Sequence, residues 1–125
     1  MLDIDIAPPF DWEELLARCM GRVDLLERLL VDFDNYLMPQ VGELEQAVLM
    51  QDAAQVRSIA HRIKGAALTV SARSLSKCAE RLEANALLPT ADPSADCLEE
   101  VLRECERLSA AVHAKLQKEP ASVSS

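Results

Sequence analysis

His61 is the residue whose type and surroundings most directly suggest chemistry, because it lies in a segment with helical periodicity. On a helix of about 100° per residue, the apolar side chains of this segment cluster opposite His61, so we expect its imidazole to point into solvent. Residues one helical turn apart share a face. The face around His61 carries two cations, a glycine and an apolar residue, namely Arg57, Lys64, Gly65 and Leu68.

This combination suits phosphoryl transfer through histidine. A neutral imidazole, with a pKa near ~6.5, offers a nucleophilic nitrogen lone pair at neutral pH. Lys64, one turn further on, is placed to stabilise the negative charge of a phosphoryl group on that nitrogen. Gly65 costs a helix about 1 kcal/mol relative to alanine, which suggests that a partner must come close. Leu68 is consistent with a docking surface.

Each of these residues, taken alone, also has an ordinary explanation as part of a solvated surface.

The distribution of charge along the chain is an independent indication of a binding face. The segment 51–81 contains six basic and two acidic residues, a net charge of +4, whereas the whole chain carries −8 and the remainder therefore −12. Such polarity, unless it is a chance fluctuation, favours a partner with an acidic contact surface. The overall negative charge argues against nucleic acid and anionic membrane as partners.

The elements that position this face are predicted to be helices. The chain of 125 residues fits one domain, and it is rich in leucine and alanine with few aromatic residues. Pro39 should kink the second helix rather than end it. The predicted helices cover about 12–20, 23–48, 53–70, 72–87 and 95–117, with Asp11 and Asp52 as caps of the first and third. We therefore expect an all-α, antiparallel up-and-down bundle.

We further expect an extended lead-in at 1–10, one helical bundle at 11–118 and a disordered tail at 119–125. A proline-containing loop at 89–94 should connect the last two helices of the bundle. No apolar run approaches the ~18 residues of a membrane span, and no basic-then-apolar leader opens the chain. These features predict a cytoplasmic protein that does not contact a membrane.

Several other site types are not expected. The four cysteines, which never form a C-x-x-C pair, are predicted to be reduced packing thiols (Cys19, Cys78, Cys97, Cys105). The two histidines are far apart and have no cysteine at ligand spacing, and the Glu-x-x-His pairs of di-iron bundles are absent. We therefore predict no metal site. His113 lacks a cation and a glycine one turn on, so we predict a structural role or none.

The segment Ala60–Ala67, AHRIKGAA, resembles the signature of the histidine-containing phosphotransfer (HPt) domain family, A-H-x-[LI]-K-G followed by small residues. The segments 29–39, 52–53 and 79–83 are also similar to that family, and the resemblance extends over about 12–116. It implies a four-helix bundle with a short additional N-terminal helix. It also implies phosphoryl relay between receiver-domain aspartates in multistep two-component signalling.

By position, the resemblance makes His61 the phosphoacceptor, assigns Lys64 to the phosphoryl oxygens and gives the receiver access at Gly65. It implies as partners the receiver domains of response regulators and hybrid histidine kinases. No cofactor is expected in this chain, because the Mg²⁺ of such transfers would belong to the receiver. A glycine common about ten residues after the histidine is Ser71 here. Serine is small and can cap the next helix, so we expect the turn to be kept.

Two other interpretations stay open. The first is the dimerisation and phosphoacceptor domain of a sensor kinase, which Arg62 disfavours because those proteins usually carry an acidic residue after the histidine. The remaining length also leaves no room for a nucleotide-binding lobe, so we expect no autonomous kinase activity. The second is a phosphorylation-independent helical-bundle adaptor that docks receiver or kinase domains. We expect a monomer, because each apolar stripe is no wider than one bundle core needs.

Overall fold

A computed structural model describes residues 8–86 and 95–117, which contain five α-helices and no strand. The helices are α1 (Trp12–Arg18), α2 (Val23–Leu49), α3 (Ala53–Thr69), α4 (Arg73–Asn85) and α5 (Ala95–Gln117). The predicted all-α class is therefore confirmed. Most of the predicted lead-in, the loop at 89–94 and the tail at 119–125 lie outside the described residues.

The predicted caps of α1 and α3 are present. Asp11 accepts a hydrogen bond from the backbone N–H of Glu14 at 3.0 Å, and Asp52 accepts one from Gln55 at 3.2 Å. These bonds satisfy backbone donors that have no partner within the helix. The first helix ends two residues earlier than predicted, because Met20 takes a left-handed φ of +56°.

The second helix continues through Pro39, as the unbroken apolar stripe predicts. Proline removes one backbone donor, but the turns on both sides keep their apolar side chains in the core. Leu37 and Leu44, which flank Pro39, are both fully buried. The stripe begins later than predicted, because Val23 is substantially exposed.

The four long helices surround one core. Neighbouring pairs in the sequence pack together, and α5 also packs against α2, whereas α3 and α5 do not adjoin over the described residues. The bundle order is therefore α2, α3, α4, α5, with α1 against α2. Fully buried side chains from all five helices fill the interior: Leu15, Leu26, Leu30, Leu37, Leu44, Ile59, Ile63, Leu75, Leu82 and Leu108. Each such burial contributes about 1.5–3 kcal/mol.

The cysteines are free, and three of them are buried. Burial raises the pKa of the Cys78 thiol and raises the pKa of Cys105 to about 12. Since the thiolate is the reactive form, both groups are inert at neutral pH and act as packing side chains.

None of the helices in residues 8–86 and 95–117 combines the length and the apolar character that a membrane span requires. Within the same residues, no group of three or more histidine, cysteine or acidic side chains is placed to hold a metal ion.

The turn between α3 and α4 differs from the prediction at Ser71. This serine does not cap α4, because the N-cap position is Ala72 and no side chain caps the helix there. Ser71 instead adopts the left-handed conformation, with a φ of +57°, and is buried. Its Oγ accepts a hydrogen bond from Nη1 of Arg18 at 3.1 Å, and its carbonyl accepts one from the N–H of Asp11 at 3.0 Å. The N–H groups of Ser71 and Ala72 bond to the carbonyls of Leu68 and Ala67, which closes the turn at the end of α3, and the contacts with Arg18 and Asp11 connect it to α1.

Substitution of Ser71 should separate the backbone conformation from the hydroxyl group. The left-handed conformation costs a residue with a side chain about 1–2 kcal/mol, and a hydrogen bond contributes about 1 kcal/mol. Ser71→Gly loses the bond but removes the conformational cost, so its free energy of unfolding should stay near that of the parent. Ser71→Ala loses the bond and keeps the cost, so it should be less stable than Ser71→Gly by about 1 kcal/mol. Urea unfolding followed by circular dichroism measures both; an alanine variant as stable as the glycine variant would contradict this account.

Candidate functional site

The exposed face of α3 is the candidate site. The helix buries Val56, Ile59, Ala60, Ile63 and Ala67 on one side. On the opposite side, 65% of the His61 side chain is exposed. Arg57, Gly65 and Leu68 are exposed as well, and Lys64 lies half-buried at the edge facing α4. The exposure of His61 that helical periodicity predicted is therefore confirmed, whereas the chemical roles of these residues stay predictions.

Glu83 of α4 joins the two key side chains of this face. One carboxylate oxygen, Oε2, lies 3.0 Å from Nδ1 of His61, and the other, Oε1, lies 3.3 Å from Nζ of Lys64. Only 23% of the Glu83 side chain is exposed, so its carboxylate is held between the two helices. A single acidic group thus contacts both the imidazole and the ammonium group.

The contact with Glu83 determines which ring nitrogen of His61 can react. An ionised carboxylate has no proton to donate, so Nδ1 must be the donor in this hydrogen bond. In a neutral imidazole, the other nitrogen, Nε2, then holds the lone pair. Because most of the ring is exposed, Nε2 of His61 is available as a nucleophile for a group brought by a partner.

Glu83 was not predicted as a site residue from the sequence. The residue lies in the segment 79–83 that resembles the family, but its role could not be read from one helix alone. The available signal was its distance from the turn: His61 lies ten residues before Ser71 and Glu83 twelve residues after it. In an antiparallel helix pair, residues at similar distances from the turn face each other.

Gly65 is not required by packing or by backbone conformation. A Cβ atom placed on it would meet nothing within 4 Å, and its φ is not left-handed. The same holds for Gly42 in the middle of α2. Gly65 leaves bare backbone one helical turn from His61, so the space beside the imidazole is open to a partner.

The positive charge around the site is smaller than the composition of the segment 51–81 suggests. Four of its six cations lie within 4 Å of carboxylates, in the pairs Arg62–Glu43, Lys64–Glu83, Arg73–Glu14 and Arg81–Glu100. Arg57 and Lys77 have no acidic partner in the part of the chain that the structure describes. Among the described residues of the His61 face, Arg57 is therefore the cation left to meet an acidic partner surface.

His113 lies elsewhere, on the side of the bundle formed by α2 and α5. Its Nε2 is 3.1 Å from Oδ2 of Asp34, and Ser109 donates a hydrogen bond to Oδ1 of the same carboxylate at 2.8 Å. These contacts connect α5 to α2. The geometry is consistent with the predicted structural role.

Comparisons with known proteins agree with this architecture. A family model described as "Hpt domain" matches residues 12–111. Among solved structures, the HPT domain from the Hpt sensor hybrid histidine kinase from Shewanella superimposes with a TM-score of 0.77 at 19% sequence identity, over 90% of this chain and 97% of that chain. At this identity the structural likeness shows the fold, a helical bundle. A search of curated proteins finds no match.

Alanine in place of Gly65 or Gly42 should stabilise the protein. Gly65→Ala and Gly42→Ala should each raise the free energy of unfolding by about 0.5–1 kcal/mol, because alanine restricts the unfolded chain and meets no obstacle in the folded one. Urea unfolding of the two variants beside the parent measures this. A loss of stability in Gly65→Ala alone would show that the fold itself needs this glycine.

Proposed function

The chain belongs to the Hpt domain family, and we propose that His61 is the residue through which it accepts and passes on a phosphoryl group. Histidine phosphotransfer in phosphorelay signalling is the function of this family, whose members are intermediates rather than autonomous kinases. The observation that carries the proposal is the exposed imidazole held at Nδ1 by Glu83, with Lys64 on the same carboxylate.

In the proposed transfer, Nε2 of His61 attacks the phosphorus of a phosphorylated aspartate in a receiver domain. A nitrogen–phosphorus bond forms while the bond between phosphorus and the aspartate oxygen breaks, and the aspartate leaves as a carboxylate. The ring becomes positively charged as Nε2 bonds to phosphorus. Glu83 stabilises that charge through the hydrogen bond from Nδ1. Passing the group to a second aspartate reverses these steps.

Lys64 is proposed to stabilise the phosphoryl oxygens. It lies one helical turn from His61, and its ammonium group is held 3.3 Å from Glu83 before transfer. A phosphoryl group on Nε2 of His61 carries more negative charge than the carboxylate of Glu83. It therefore attracts the ammonium group of Lys64 more strongly. The flexible lysine side chain can turn towards it without a movement of α3.

The remaining residues of the face are proposed to dock the receiver domain. Gly65 admits the receiver's active site beside the imidazole, and Leu68, which is 51% exposed, offers an apolar contact. Arg57 offers a cation that pairs with no carboxylate in the described part of the chain. His61, Lys64 and Glu83 are contributed by the same chain, so the proposed site needs no residue from a second copy.

Phosphorylated receiver domains test the role of His61. The receivers encoded in the same genome, labelled with radioactive acetyl phosphate, should transfer label to the parent protein as an acid-labile, base-stable adduct. His61→Gln should take up no label, and Lys64→Ala should slow transfer roughly tenfold, since it removes charge stabilisation. His113→Gln should label like the parent.

Equal labelling of the His61→Gln variant would contradict the assignment. If the parent itself takes no label but still binds a receiver domain, the alternative of a phosphorylation-independent adaptor is favoured instead. The same binding and labelling experiment therefore separates the two functions.

Access at Gly65 can be tested with a matched pair of substitutions. Gly65→Gln and Gly42→Gln both place a good helix former where a Cβ meets open space, so both variants should fold. Only Gly65→Gln puts a side chain beside His61, and it should lower the transfer rate roughly tenfold or more by obstructing close approach. Stopped-time labelling measures the rates. Equal rates for the two variants would exclude a role for Gly65 in access.

A further inference from the structure

A groove on the far side of the bundle has no part in the proposed phosphotransfer. It runs between α2 and α5 and has a volume of about 460 Å³. The His61 face lies on α3 and α4, and α3 does not adjoin α5 over the described residues. Its lining includes the apolar Met38, Val41, Leu102 and Ala110 and the acidic Glu45 and Glu106, beside His113.

The groove is built into the packing of the two helices. On α5, the small residues Ser109 and Ala110 leave space that larger side chains would fill. At one end of the groove, Asp34 of α2 accepts a hydrogen bond from Ser109 and lies 3.1 Å from Nε2 of His113. These contacts fix the separation of the helices, so the groove is present before any partner binds.

Its apolar surface is accessible. Met38 is 53% exposed, and Val41 and Leu102 are half-buried beside it. Covering such side chains is favourable at roughly 25 cal/mol for each Å² removed from water. The stretch of α5 from Leu102 to His113 rises about 17 Å, which matches about three turns of a second helix lying alongside.

The acidic side chains of the groove determine the charge of a suitable occupant. Glu45 and Glu106 are both exposed, and neither has a basic partner among the described residues. This differs from the His61 face, where Glu83 contacts both His61 and Lys64. An anionic lipid surface and the acidic α2–α5 side of a second copy of this chain would both be repelled.

We propose that the α2–α5 groove docks a basic amphipathic helix of a partner protein. The apolar stripe of that helix would cover Met38 and Leu102, and lysine or arginine side chains beside the stripe would pair with Glu45 and Glu106. Binding there leaves the α3 face uncovered, so a partner can hold this protein while His61 exchanges its phosphoryl group.

A designed peptide pair tests the proposal with the full-length protein. The probe is a 15-residue helical peptide with a leucine stripe flanked by lysines, and the matched control carries glutamates in place of the lysines. In ¹⁵N–¹H NMR titrations, the lysine peptide should shift the amide signals of Met38, Leu102 and Ala110. The glutamate peptide should bind at least tenfold more weakly, because its charges have the sign of the groove.

Charge-reversed variants locate the binding site. The double variant Glu45→Lys/Glu106→Lys should weaken the lysine peptide at least tenfold, whereas Glu13→Lys/Asp32→Lys, an equal charge change at exposed positions outside the groove, should weaken it less than threefold. His61→Gln should bind like the parent, which separates this proposal from the phosphotransfer assignment.

Three results would overturn the proposal. They are the absence of binding to the parent protein, equal weakening by the two double variants, and signal shifts confined to α3 and α4.

Discussion

The register between α3 and α4 is the constraint on which the site depends. Ser71 reverses the chain in a left-handed conformation, and its bonds with Arg18 and Asp11 hold the turn against α1. This turn brings Glu83 opposite His61 and Lys64. A partly exposed ion pair contributes little to stability, about 0–1 kcal/mol. In the proposed transfer, the importance of Glu83 therefore lies in chemistry: it holds the proton on Nδ1 of His61 and leaves the lone pair that reacts on Nε2.

The sequence predicted the structural features that depend on the residues of one helix alone. The caps at Asp11 and Asp52 and the exposure of His61 follow from residue type and from the period of 3.6, and the structure shows them. Glu83 could not be assigned a role in this way, because its position beside His61 depends on the register of two helices. Ser71 was misjudged because its type suits a cap of α4, whereas it takes the left-handed position that ends α3, where the N–H groups of Ser71 and Ala72 bond to carbonyls of the last turn.

The net charge of a sequence segment predicted the surface of the protein less well than the assignment of residues to helix faces. The cations of residues 51–81 largely meet carboxylates from the other helices, so local composition overstates the positive charge that a partner would meet. Among the described residues, acidic side chains without a basic partner lie instead along α2 and α5, where Glu45 and Glu106 line the groove. The bundle thus has two chemically distinct sides. The α3–α4 side carries the imidazole proposed to exchange a phosphoryl group, and the α2–α5 side carries the acidic groove proposed to bind a basic partner.

Phosphorus–nitrogen correlation in NMR can show which ring nitrogen of His61 bonds to phosphorus. The protein would be labelled with ¹⁵N in its histidine rings and phosphorylated by a receiver domain. Because Glu83 occupies Nδ1, the account predicts phosphorus bonded to Nε2 of His61. Phosphorus on Nδ1 of that ring, or on any other residue, would contradict it.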